Sequence, residues 1–97
     1  MALLVCNTIF IHRVAKILQD TGIDYFTSWD HAKGKGEGTE PHLGSGPYGS
    51  TNSVTMIAFR EEAPLEALIA AIKASNKEIQ RRADHIRLFQ VPMDRIV

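Results

Sequence analysis

Apolar side chains crowd the start of the chain. Residues 2–9, ALLVCNTI, form a short run with β-branched members, the pattern of a buried strand. The period then changes from two to nearly four. Ile11, Val14, Ile17 and Leu18 recur at helical spacing, with His12, Arg13, Lys16, Gln19 and Asp20 on the opposite face. Gly22 stands where a helix ends on a residue of positive φ. The aromatic-rich stretch DYFTSWD, 24–30, suits a second strand, and SVTMIAFR, 53–60, a third. Pro64 falls in the first turn of a second helix, behind Glu61 and Glu62 on the side the helix dipole favours. Leu65, Leu68, Ile69, Ile72 and Ile79 supply its buried stripe, IRLFQV at 86–91 reads as a fourth strand, and Pro92 stops it.

The predicted order is β-α-β-β-α-β, which is the split βαβ arrangement of ferredoxin-like α+β folds. Both helices then cover one face of a four-stranded sheet. In the third strand Val54, Met56 and Ala58 alternate with Thr55, Ile57 and Phe59, so both faces are largely apolar, as they are along Leu3–Cys6. An uncovered apolar face of that size calls for a partner, and oligomerisation through the sheet is the expectation.

Between the second and third strands lie residues 31–52, where a hairpin needs only two to five. Six of the seven glycines fall between Gly34 and Gly49. A segment that dear in backbone entropy is expected to be mobile when free and ordered by what it binds. Its GSGPYG, 44–49, matches a dinucleotide pattern in letters only, because no helix follows to meet a pyrophosphate. KGKGEG, 33–38, lacks the GK[ST] ending of a phosphate loop. It reads either as a solvated turn or as an anion cradle, with amides at Gly34 and Gly36 flanked by Lys33 and Lys35.

Composition narrows the partners. With 97 residues, 44% hydrophobic and 23% charged, the chain has the make-up of one globular domain. Eleven basic and eleven acidic residues cancel, leaving no broad field for nucleic acid. A single cysteine, Cys6, precludes an internal disulfide and fits a reducing compartment; no run approaches a membrane span and no signal-peptide pattern opens the chain. A cytoplasmic location is expected, with any membrane contact made through a partner. The histidines show no tight metal spacing, although His31 and His42 flank the same loop. Cys6 reads as a core residue, Tyr25 and Trp29 as core or interface. Arg81 and Arg82 read either as solvated or as phosphate ligands at a subunit edge. No spacing points to a hydrolase, and the chain is expected not to be an enzyme.

The order of elements, Gly22-Ile23 after the first helix, Thr27, and Lys33-Gly34-Lys35-Gly36 opening a long loop together resemble PII-like signal-transduction proteins. In that family GI precedes the second strand and K-G-x-G opens the T-loop. The resemblance spans nearly the whole chain. It implies a homotrimer of ferredoxin-like subunits, adenine nucleotide (ATP, ADP or AMP) in intersubunit clefts, and a T-loop, 33–53 here, that contacts a target enzyme or transporter. By position, Thr27 would lie near the adenine and the backbone of Gly34, Lys35 and Gly36 by the phosphates. Tyr48 lies near the family's modifiable tyrosine.

The departures are specific. The glycine-rich B-loop before the last strand is replaced by NKEIQRRADH, 76–85, the arginine after K-G-x-G is Glu37, and the expected C-terminal arginine pair is reduced to Arg95. The chain looks closer to the divergent branch that includes carboxysome-associated, bicarbonate-linked proteins. A non-enzymatic sensor of a small anion is therefore expected. The alternative is a trimeric divalent-metal-binding protein similar to the cation-tolerance family, whose paired tryptophans and H-P-Y-E stretch are missing here.

Overall fold

Alternation along two central strands decides how this chain is layered. A computed structural model describes residues 1–35 and 51–97. The order of elements is β1 (Ala2–Asn7), α1 (Ile11–Asp20), β2 (Thr27–Ala32), β3 (Asn52–Ile57), α2 (Glu62–Asn76) and β4 (Arg87–Gln90). Single 3-10 turns, Thr8–Phe10 and Arg82–Asp84, lead into α1 and β4. The four strands make one sheet in the order β2-β3-β1-β4, every neighbouring pair antiparallel. This is a small α+β architecture compatible with a ferredoxin-like fold.

The core lies between the sheet and the two helices. Ala2, Leu4 and Cys6 of β1 and Ile57 of β3 are buried, as are Val14, Ile17 and Leu18 of α1 and Leu65, Leu68 and Ile72 of α2. Ile69 packs half-buried against this cluster. Ile79 is also buried but lies beyond the helix, which ends at Asn76. Pro64 occupies the first turn of α2, where its missing N–H would have had no partner in the helix.

The end of α1 shows how sequence becomes geometry. Gly22 takes φ +73°, its N–H donates to the Gln19 carbonyl at 3.1 Å, and the Ile23 N–H reaches back to Leu18 at 2.9 Å. These two bonds form a Schellman motif, and the buried pair Leu18 and Ile23 supplies its apolar contact. The chain then runs further than expected before it pairs. Tyr25 and Phe26, strand-like in sequence, sit exposed ahead of β2, and Tyr25 meets the Phe59 ring edge-on at 6.1 Å.

β2 is an edge strand with an irregular end. Thr27, Ser28 and Trp29 pair with Met56, Thr55 and Val54, and the register then slips so that Ala32 faces Asn52. Within the slip, His31 adopts φ 61°, an unusual conformation for a residue with a Cβ. At the other edge β4 has four residues; the Val91 N–H adds one bond to the Met1 carbonyl before Pro92. No helix among the described residues is long and apolar enough to cross a membrane.

Candidate functional site: a cationic cavity on the open sheet face

The side of the sheet away from the helices carries Leu3 and Val5 of β1, Val54 and Met56 of β3, Trp29 of β2 and Phe89 of β4. Cross-strand pairing sets Leu3 against both Met56 and Phe89, and Val54 against both Val5 and Trp29. Trp29 is 50% and Phe89 52% exposed.

At one end of this face lies a cavity of about 310 Å³. Its floor is Val5, Val54 and Phe89. One wall is Lys33, Gly34 and Lys35, where the chain leaves β2; the other is Ala83, His85 and Arg87, where it enters β4. Asn7 and Asn52, paired with each other at the end of β1 and β3, also line it.

Each wall is fixed by identifiable bonds. The slip in β2 carries Lys33–Lys35 across the end of β3 so closely that a Cβ on Gly34 would lie 2.6 Å from Asn52 Nδ2. Glycine is the residue that permits this approach. Just before Asn52, the Thr51 carbonyl accepts from both the Thr8 N–H at 2.8 Å and the Thr8 hydroxyl at 2.9 Å. The Thr51 hydroxyl lies 3.2 Å from His31 Nδ1. On the opposite wall, Asn76 at the end of α2 uses its side-chain amide to donate to the Ile86 carbonyl and accept from the Ile86 N–H, both at 2.8 Å. His85 Nε2 donates to the Ile79 carbonyl at 2.8 Å, so that nitrogen carries a proton. The buried Asp84 accepts from Asn7 Nδ2 at 3.1 Å, which ties the 3-10 turn to the end of β1.

The charge is one-sided. Lys33, Lys35 and Arg87 edge the cavity, none of its described lining residues is acidic, and no ion pair joins these three to a carboxylate among the described residues. Anions are therefore attracted to this end of the sheet.

Of the residues singled out from sequence, Lys33, Gly34 and Lys35 meet at this cavity. Thr27 is elsewhere, six residues upstream and paired with Met56 toward the other end of the sheet. Arg81 lies beside Asp84, Nε to Oδ2 3.9 Å, and neither it nor Arg82 lines the cavity. Gly36, Glu37, His42 and Tyr48 lie outside the described residues, as does most of the loop expected to change state. Arg87, His85 and Phe89 are additions that the sequence pattern did not single out. A signal was present in HIRLF, where Ile86 and Leu88 turn toward the core and the residues alternating with them must turn away.

Other chemistry finds less support. Cys6 is buried and its thiol is pushed up to about 11, first by burial and then by the charge of Asp30. It stays protonated at neutral pH and is a poor nucleophile. Asp30 in turn accepts from Ser53 Oγ at 3.0 Å on the same side of the sheet. Among the described residues no group of three or more His, Cys, Asp or Glu side chains could hold a metal ion.

Fold and cavity together define a small antiparallel α+β protein with a cationic, apolar-floored cavity on its open sheet face. Compared with known proteins, the chain matches no family model and no curated protein.

Proposed function

We propose that this chain is a PII-like, non-enzymatic regulatory protein that binds a small anionic effector and controls a partner protein through its T-loop. The effector in this reading is an adenine nucleotide, with bicarbonate as a second ligand, held where neighbouring subunits of a homotrimer meet. The target is an enzyme or a transporter.

One observation carries the reading. Lys33, Gly34 and Lys35, where the long loop begins, line a cavity with Arg87, and the described lining of that cavity has no acidic residue. The apolar face beside it, with Trp29 half exposed, supports assembly through the sheet. Anion binding at the root of the loop gives an effector a direct hold on the segment that meets the target.

Calorimetry with ATP, ADP, AMP and bicarbonate tests it. A few cations and backbone amides at an open cavity correspond to a Kd from about 10 μM to 1 mM. Failure of every one of these ligands to bind at millimolar concentration would remove the sensor reading.

A further inference from the structure

The cavity has two chemically different halves. Its rim carries three cations with no acidic partner among the described residues, and its floor is apolar and includes the exposed ring of Phe89. A bare inorganic anion would use the rim and leave the floor wet. A neutral aromatic would use the floor and leave the cations unanswered. A flat ring joined to one anionic group uses both. At about 310 Å³ the chamber lies at the small end of ligand pockets, which suits one ring system and one anion more than an extended polyphosphate.

Both halves meet on β4. Arg87 pairs across the sheet with Val5, and Phe89 with Leu3, which puts their side chains on the open face two residues apart. The guanidinium offers a planar fork of donors to a phosphate or carboxylate, which the two lysines cannot. Phe89 offers a π-face of the kind on which nucleobases stack. Neither role falls to Arg81, which is turned to Asp84.

We propose that Arg87 and Phe89 complete the site begun by Lys33–Gly34–Lys35, Arg87 binding the anion and Phe89 carrying the ring, so that the site selects a small planar aromatic monophosphate or carboxylate. The proposal rests on the anion-sensor reading and names its ligand class and its determinants. Those determinants belong to a single subunit.

The test uses four probes on the full chain: AMP, phenyl phosphate, inorganic phosphate and adenosine. For the unaltered protein, AMP and phenyl phosphate bind at least about tenfold more tightly than inorganic phosphate, which lacks the stacking ring, or adenosine, which lacks the charge-assisted bond to the anion. Arg87→Gln weakens AMP, phenyl phosphate and inorganic phosphate by about tenfold or more, as expected for a lost charge-assisted bond. Arg87→Lys, which keeps the charge without the fork, falls between. Phe89→Leu, which keeps the floor apolar without the ring, weakens AMP and phenyl phosphate and leaves inorganic phosphate unchanged. Arg81→Gln and Arg82→Gln leave all four within about twofold.

Equal binding of AMP by the Arg87→Gln and unaltered proteins would overturn the proposal while leaving an anion sensor in place. So would losses confined to the Arg81 and Arg82 variants, or inorganic phosphate matching AMP in the unaltered protein. If no phosphate-bearing probe binds the unaltered protein, the proposal fails, and the sensor reading fails with it only when ATP, ADP and bicarbonate also do not bind.

Discussion

β3 shows its two faces to very different surroundings, and not in the way its side chains suggest. Toward the helices it turns Ser53, Thr55 and Ile57, all buried; toward the open side it turns Val54 and Met56, which remain partly exposed. The more polar row is inside and the more apolar row outside. Ser53 is accommodated because its hydroxyl donates to Asp30. β1 repeats the contrast, with Leu4 1% exposed and its neighbour Leu3 partly exposed. A face that leaves valine, methionine and tryptophan partly exposed is built for contact, whereas the buried row is built for fit.

Replacing matched residues on the two faces breaks or sharpens this contrast. Leu4→Ala removes a fully buried side chain and is expected to cost about 2–5 kcal/mol in urea unfolding. Leu3→Ala, one position along, is expected to cost well under half of that at low protein concentration. Equal costs would mean that the open face is as tightly packed as the core.

Met56→Lys puts a charge in the middle of the open face without touching the cavity lining. If the sheet is the assembly surface, sedimentation equilibrium gives about three times the 10.8 kDa subunit mass for the unaltered protein and a single subunit for the variant. Far-UV circular dichroism stays the same. A single-subunit mass for the unaltered protein at micromolar concentration would leave the apolar row without an explanation.

The smallest effect belongs to Cys6, on the buried face. Its folded-state value of about 11 lies above the ordinary 9.0. Well below pH 9 the thiol is protonated in both folded and unfolded chains and the difference has no effect. From pH 9 toward 11 the unfolded chain ionises first, so stability falls as pH rises, by on the order of 2 kcal/mol in full. Urea titrations between pH 8 and 10.5 measure the slope. Cys6→Ala should flatten it, and an unchanged slope would assign the effect to other groups.

Much of this arrangement was legible in the sequence, because it depends on local rules. Gly22 announces the end of α1 since few other residues take φ +73° there, and the spacing of Leu65, Leu68 and Ile72 needs only the helical period. Elsewhere tertiary contacts overrule composition. Tyr25 and Phe26 have strand-like side chains, but the sheet begins at Thr27. The site divides the same way. Lys33–Gly34–Lys35 is a local cluster and can be seen as one. That Arg87 faces it depends on the pairing of Val5 with both Val54 and Arg87, a match between distant segments with no trace in either alone. Arg81 looks available in sequence for the same reason, since nothing nearby announces that Asp84 is buried and draws it in.

The two borders of the sheet have a consequence for how the protein behaves in concentrated solution. A free strand border is a template on which further chains can add and grow into fibres. Here β2 is kinked by the register slip at His31, so an incoming strand would lose step within a few residues. β4 is four residues long and runs into Pro92, which has no N–H to offer. Both borders resist polymerisation, and a neighbouring molecule is left the flat of the sheet on which to lie.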